Sequence, residues 1–231
     1  IAHDRVTDEH TVWEAPAGHQ LDEALFVPAS DAASEGEGYL LSMAYDATRN
    51  GSEVVILDAK TGRQQRRVTT HPAVDTSPSW SPDGSRLAFV SDRTGKPQVW
   101  LADLKRKTET RITDGGYITS PTWSPLGDRI IYAQKLGPGR FALIRHDLDS
   151  GRRKRLTPQG VSDDAPCYSP DGRYVVFVRT GDDDEPRLWI MQQDGERARP
   201  LVTGSLPAFT PDWGHPYGDR GQRPREVEST R

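Results

Sequence analysis

The sequence predicts an all-β fold, a β-propeller of four-stranded antiparallel blades, with about four blades plus shared terminal strands. Three observations carry this reading. First, a motif of the form S-P-x-W-S-P-x-G stands at 77–84 and 120–127, and again at 165–172 as Ala165-Pro166-Cys167-Tyr168-Ser169-Pro170-Asp171-Gly172, with a worn copy, Leu206-Pro207-Ala208-Phe209-Thr210-Pro211-Asp212. Its aromatic recurs at Trp80, Trp123, Tyr168 and Phe209, in steps of 43, 45 and 41 residues, a period typical of blade repeats. Second, short β-forming runs follow each motif, separated by turns rich in Gly, Pro and Asp. Third, Thr69, Thr113 and Thr157 are each 44 apart, and Asp58, Asp103 and Asp147 step by 45 and then 44. The earliest unit is therefore in phase with the later ones.

The elements follow in order. The first blade spans about 22–69, with runs at Leu25-Phe26-Val27-Pro28, at 39–45, 54–58 and 67–69, and with a small, acidic surface loop in its first hairpin. Further blades are expected at 74–113, 118–157 and 162–203. Each opens on the aromatic motif, turns at Pro-x-Gly, and continues through runs such as Arg86-Leu87-Ala88-Phe89-Val90 and Val99-Trp100-Leu101-Ala102. Proline pre-sets φ at the first central position of the turn, Asp tolerates the second, and Gly takes positive φ without steric cost. Leu126 interrupts the pattern in the middle copy. The repeat aromatics Trp80, Trp123, Tyr168 and Phe209 sit at a fixed offset from these turns, so they are expected to be buried between neighbouring blades. Strands at 206–210 and 10–15 are expected to close the ring by sharing a blade between the termini. Residues 214–231 are polar and read as a mobile tail.

Composition narrows the classes. No run of eighteen apolar residues occurs, so no membrane span is expected. A net charge of −4 argues against nucleic acid as the main partner. The single cysteine, Cys167, allows no internal disulfide and reads as a small buried hydrophobe. The chain starts at Ile1 without an apolar leader, which is read as either a removed signal or a fragment.

Residues 71–213 resemble the TolB-like propeller family. The repeated S-P-x-W-S-P-x-G copies carry the resemblance, together with Ser91-Asp92-Arg93-Thr94-Gly95-Lys96-Pro97 and Phe209-Thr210-Pro211-Asp212-Trp213. Members of this family resemble six-bladed rings. The resemblance implies a non-catalytic protein-interaction platform of the Tol-Pal envelope system, periplasmic, with partners such as the peptidoglycan-associated lipoprotein. The same blades also occur in the gating propeller of prolyl-oligopeptidase-type serine peptidases, which is the alternative. Residues 21–60 resemble a late blade of carotenoid cleavage oxygenases, through Glu23-Ala24-Leu25-Phe26-Val27-Pro28 and 38–46. That resemblance implies Fe²⁺ held by four histidines, with the residue at Glu23 orienting one of them. His71 stands where the last ligand would fall but lacks its motif.

The residues themselves point away from catalysis. No Gly-x-Ser-x-Gly pentad is present to raise a nucleophile on a sharp turn. The six histidines are scattered, none paired at i, i+4. No cofactor is therefore expected. The run Asp182-Asp183-Asp184-Glu185 lacks the spaced ligands of a Ca²⁺ loop and reads as a hairpin tip. Arg152-Arg153-Lys154-Arg155 reads as an exposed turn. The candidate partner contacts are Asp75, Thr76 and Ser77, with Asp163 and Asp164, because they precede the aromatic strand where a propeller opens its funnel. Capping of the turn by the Asp side chains explains the same residues.

Overall fold

The structure, a computed structural model, describes residues 2–4, 9–11, 19–21, 24–29, 37–48, 50–61, 63–201 and 210–213. A two-stranded ribbon, β1 (Ala2–Asp4) with β2 (Glu9–Thr11), precedes four blades. In the first blade β3 (His19–Leu21) and β4 (Leu25–Pro28) lie end to end along β5 (Gly38–Asp46), followed by β6 (Gly51–Asp58) and β7 (Gln64–Arg67). The second blade is β8 (Asp75–Trp80), β9 (Arg86–Ser91), β10 (Gln98–Asp103) and β11 (Thr108–Arg111). The third is β12 (Ile118–Trp123), β13 (Arg129–Gly137), β14 (Arg140–Asp147) and β15 (Arg153–Arg155). The fourth is β16 (Ser162–Tyr168), β17 (Tyr174–Thr180), β18 (Pro186–Gln192) and β19 (Arg199–Pro200).

Each sheet is an antiparallel meander in chain order, and the all-β propeller architecture is as expected. The first strands β8, β12 and β16 touch one another in sequence, so they line the inside of the arc. Blade packs on blade from the first to the fourth. Among the described residues, no element of the fourth blade touches the first. His10 and Thr11, from the expected closing strand at 10–15, pair in β2 with His3 and Ala2. Residues 12–15, 206–209 and 214–231 lie outside the described residues, and the expected closure and tail lie there with them. No described helix is long and apolar enough to cross a membrane.

The core consists of three apolar seams, one at each described junction, and a smaller cluster of Ala44, Val55 and Leu57 on the other face of the first blade. Alternate residues of the second strand face opposite neighbours, as the pleat requires. Leu87 and Phe89 face the first blade's Leu41, Val54 and Ile56, while Ala88 joins Val99 in the seam with the third blade's Ile130 and Tyr132. Ile131, Ala133 and Leu143 then meet Val175 and Phe177 of the fourth blade. The repeat aromatics sit in these seams at one register. Trp80 pairs with Leu87, Trp123 with Ile130 and Tyr168 with Val175. Trp123 and Tyr168 are buried, whereas Trp80 is half-buried at the seam with the first blade. That blade's strands differ most from the repeat, and they close over the indole less completely.

Phe209 is outside the described residues, but Trp213 is not. Thr210-Pro211-Asp212-Trp213 restates the S-P-x-W pattern 45 residues after its predecessor, a step equal to that from Trp123 to Tyr168. It docks accordingly. The Trp213 indole N–H donates to the carbonyl of Cys167 at 3.2 Å, and Asp212 Oδ1 lies 3.8 Å from Cys167 Sγ. Two junctions earlier, the Trp123 backbone N–H reaches Ser79 Oγ, and Ser79 holds the position of Cys167 in its own motif. Half-buried Trp213 thus rests on the first strand of the fourth blade, one motif step beyond Tyr168. Burial and the neighbouring Asp212 push the Cys167 thiol up to about 11, so it is an unreactive packing group.

Two repeated polar devices fix the blades. The hydroxyls of Thr69, Thr113 and Thr157 accept hydrogen bonds from the backbone N–H of Val54, Val99 and Leu143 at 2.9, 2.9 and 3.0 Å. This is the physical content of the 44-residue threonine rhythm. In the Pro-x-Gly turns, Ser81 Oγ donates to Asp83 Oδ1, and Ser169 Oγ to Asp171 Oδ1, both at 2.6 Å. These bonds hold both carboxyls down at about 2, led in each case by the serine hydroxyl. Gly84, Gly127 and Gly172 have φ of +65°, +72° and +71°. The Gly127 and Gly172 turns also pack on the previous blade, since a Cβ there would lie 3.4 Å from Pro82 and 3.5 Å from Pro125.

The third blade lacks the acidic member of the turn. Leu126 is 73% exposed where its counterparts are Asp83 and Asp171. Ser124 already reaches the Asp128 carboxyl, so Leu126→Asp is expected to draw its hydroxyl back to the turn and stabilise the chain by at most about 0.5–1 kcal/mol. A calorimetric melt checks this, and the gain should fade as the pH falls towards 2 and the new carboxylate protonates.

His146 gives a second pH signature. It is buried at the seam facing the second blade, and its Nδ1 makes no hydrogen bond among the described residues. Burial, with Arg153 nearby, lowers its pKa, opposed by Asp147 and Asp114. The unfolded chain therefore binds the proton more readily. The stability is fully present above the unfolded value of 6.5 and is lost as pH falls below it. Denaturant titrations between pH 7 and 5 should show a slope that His146→Leu flattens.

Candidate functional site

The two ends of the arc differ. The Pro-x-Gly turns lie at one end with the outer hairpins, as shown by backbone bonds from Leu104 to Ser85, Leu148 to Asp128 and Gln193 to Arg173. The opposite end carries the turns between second and third strands and the links between blades. The candidate contacts lie at this opposite end, on the inner strands.

Each inner strand carries a bulge there. Cross-strand pairing skips between Thr76 and Ser79, Thr119 and Thr122, and Asp164 and Cys167. In every case the cause is proline, which has no N–H to give to the ladder. The residue before it, Ser77, Ser120 or Ala165, takes a left-handed φ of 51°, 51° or 49°. Such a conformation costs a non-glycine residue about 1–2 kcal/mol, and it is kept in three blades out of three. A bulge re-aims side chains. Here it sends Asp75 and Asp163 inward, leaves Thr76 and Ser77 exposed, and keeps Asp164 half-exposed.

Asp75 and Asp163 are thus structural anchors. Asp163 accepts two hydrogen bonds from Arg179, at 2.6 Å from Nε and 2.9 Å from Nη2. The guanidinium also stacks over the rings of Trp189 at 4.2 Å and Phe177 at 5.3 Å. The second blade repeats the assembly with different register. Arg93 Nη2 lies 3.3 Å from both oxygens of Asp75, over Trp100 at 4.7 Å and Phe89 at 5.3 Å, and it also pairs with Glu109. Arg179 is the cross-strand partner of Asp163, whereas Arg93 reaches back from the turn beyond Ser91. Burial pushes the Asp75 carboxyl up, while Ser91, Thr69 and Arg93 pull against it. Ser52 of the first blade brackets the Asp75 backbone, with N–H and carbonyl at 2.8 and 2.7 Å from its Oγ. The third blade has Ile118 at this place, packed with Tyr132 and Ile144.

The accessible surface around these anchors mixes hydroxyls with apolar groups. Thr76 and Ser77 are exposed, and Thr119 Oγ1 donates to Asp164 Oδ1 at 3.3 Å across the third junction. Val74 and Tyr117 hold equivalent places just before β8 and β12 and are 46% and 47% exposed. Tyr117 meets Phe141 edge to face at 6.2 Å, and Leu136 is half exposed in the adjacent hairpin. Sequence reading missed this apolar set, although the phase of Val74 and Tyr117 was available from the motif. The acidic run is a hairpin tip, with Asp183 bound to Arg187 and Asp182 to Arg140. Among the described residues, no group of three or more His, Cys, Asp and Glu is placed to hold a metal ion. His71 is exposed and accepts a bond from the Ala73 N–H; Glu23 lies outside the described residues.

Comparison with known proteins agrees with this architecture. The family model described as the TolB beta propeller domain matches residues 34–217, taking in most of the first blade. The Tol-Pal system protein TolB of Bordetella pertussis is 36% identical over 163 residues, covering 71% of this chain and 37% of that protein. Its counterpart in Helicobacter pylori is 28% identical over 192 residues, covering 80% and 44%. The crystal structure of TolB from Acinetobacter baumannii superposes with a TM-score of 0.65 at 25% identity, covering 73% of this chain and 42% of that one. The chain thus spans less than half the length of these relatives. With the family model matching most of its length, the chain belongs to the TolB β-propeller family.

Proposed function

We propose that this propeller is a non-catalytic protein-interaction platform of the Tol-Pal envelope system, working in the periplasm. The observation that supports it best is the bulged end of the arc. Exposed Val74, Tyr117 and Leu136 share this end with exposed Thr76 and Ser77 and half-exposed Asp164, and buried Asp–Arg anchors fix the second and fourth blades there. Large apolar groups beside hydroxyls on a rigid frame suit protein docking, where an aromatic supplies contact area at little entropic cost. The relatives' place in the Tol-Pal system supports an envelope partner, and the peptidoglycan-associated lipoprotein is the one to test.

The experiment is surface plasmon resonance with the purified chain and the soluble domain of that lipoprotein. Saturable binding is expected, with Tyr117→Asp and Leu136→Asp each weakening it at least about tenfold. Asp183→Ala, on the hairpin tip, should leave it unchanged. Binding that ignores both apolar substitutions would move the docking surface elsewhere. A flat response with the parent chain would remove this partner.

A further inference from the structure

The basic run at 152–155 has three counterparts. The outer hairpins of the four blades, residues 59–67, 104–111, 148–155 and 193–200, hold fourteen of the chain's 30 Lys and Arg but only four of its 34 Asp and Glu. A rim with ten net positive charges therefore runs along the outside of the arc in a protein whose total is −4. We infer that this rim is a binding surface for a flexible acidic polysaccharide, one carrying carboxylate or sulfate groups along its length.

Three features lead there. The outer strand is the exposed edge of each blade, and charge on an edge discourages pairing with other chains. Lysine is the usual residue in that role, whereas ten of these fourteen cations are arginine. Some cations do tie blades together, as Arg153 does with Asp114 at 2.5 Å and Lys154 with the Asp194 carbonyl at 2.9 Å. Lys60, Arg63, Lys105, Lys107, Arg111 and Arg152, by contrast, form no ion pair among the described residues. Lys60 and Arg111 act on Asp58 and Asp114 only without direct contact, so all six heads are open to an anionic ligand.

The composition of the hairpins selects the polymer. They contain no aromatic residue, so there is nothing on which to stack an unpaired base. Leu104 packs inward on the seam between first and second blades and Leu148 on that between second and third, which leaves neither as an apolar anchor for a bilayer. Ten of the fourteen cations are Arg, whose planar fork matches carboxylate and sulfate oxygens in pairs. The four hairpins stand on successive blades around a curved perimeter, which a flexible chain follows.

The test uses fluorescence anisotropy at low ionic strength with labelled heparin and labelled polygalacturonate as probes, and with single-stranded RNA and anionic vesicles as competitors. The chain should bind at least one glycan despite its pI of 5.9, with affinity falling steeply as salt is added. The triple variant Lys105→Glu, Arg106→Glu, Lys107→Glu should weaken binding about a hundredfold while melting like the parent. Lys60→Glu with Arg63→Glu provides an independent second hairpin. No binding at low salt, or equal binding by both charge-reversed variants, overturns the inference. RNA or vesicles displacing the glycans at lower concentration overturns the choice of ligand.

Discussion

Trp123→Ala is expected to lower the thermal midpoint more than the same change at any other described repeat aromatic. Trp123 is only 5% exposed and fills the seam between Ala88 and Val99 on one side and Ile130, Tyr132 and Ile144 on the other. Arg86 covers the ring at 4.8 Å and extends to the Gly127 carbonyl, so the indole is enclosed by side chains of two blades. Emptying such a site costs about 3–5 kcal/mol, a large share of a total stability of about 5–15 kcal/mol. Trp80 has the same register but stays half-buried against the first blade, so its loss should cost clearly less. Calorimetry on the two variants measures the difference. Equal midpoints, or a Trp123→Ala variant melting with the parent, would mean that the seams do not hold the blades together.

Arg179→Ala should come close in size, for a different reason. It strips the partner from a carboxylate with no solvent exposure, and it opens the space above Trp189 and Phe177. Breaking one side of a buried pair costs about 3–5 kcal/mol because the remaining charge stays desolvated. Replacing both partners, as Asp163→Leu with Arg179→Met, should recover most of that loss. If single and double variants melt alike, the penalty comes from lost packing over the rings and not from the stranded charge.

What the sequence revealed was local chemistry. The Pro-x-Gly turns, the aromatic offset and the threonine rhythm all depend on residues that act on their own backbone or on a neighbouring strand. Their spacing carried the blade architecture directly. The candidate site was harder to read, because its orientation turns on a bulge. Asp75 and Asp163 precede a proline, and simple alternation leaves open which way they face. Only the left-handed residue before each proline shows that they turn inward, towards Arg93 and Arg179. The two arginines occupy different positions in their blades, so no fixed spacing could have announced them. The last aromatic was ambiguous for a related reason. Leu206-Pro207-Ala208-Phe209 and Thr210-Pro211-Asp212-Trp213 both satisfy the motif, and the second, which lies among the described residues, reaches Cys167. The cationic rim was visible as one basic run, but its repetition became clear only when four outer hairpins were aligned by their place in the blade.

Among the described residues the seams join each blade only to its neighbours along the arc, and this gives these blades a built-in order of release. The second and third blades are each clamped on both sides, and the first and fourth on one side among the described elements. In such a linear array the free energy of local opening rises from the ends towards the middle. Amides of β9 and β13 should therefore be the last to exchange with solvent, and those of β18 should go early. A partner gripping the fourth blade would be felt in the third before it reached the first, so the protein would register binding as a gradient of stiffness along its length.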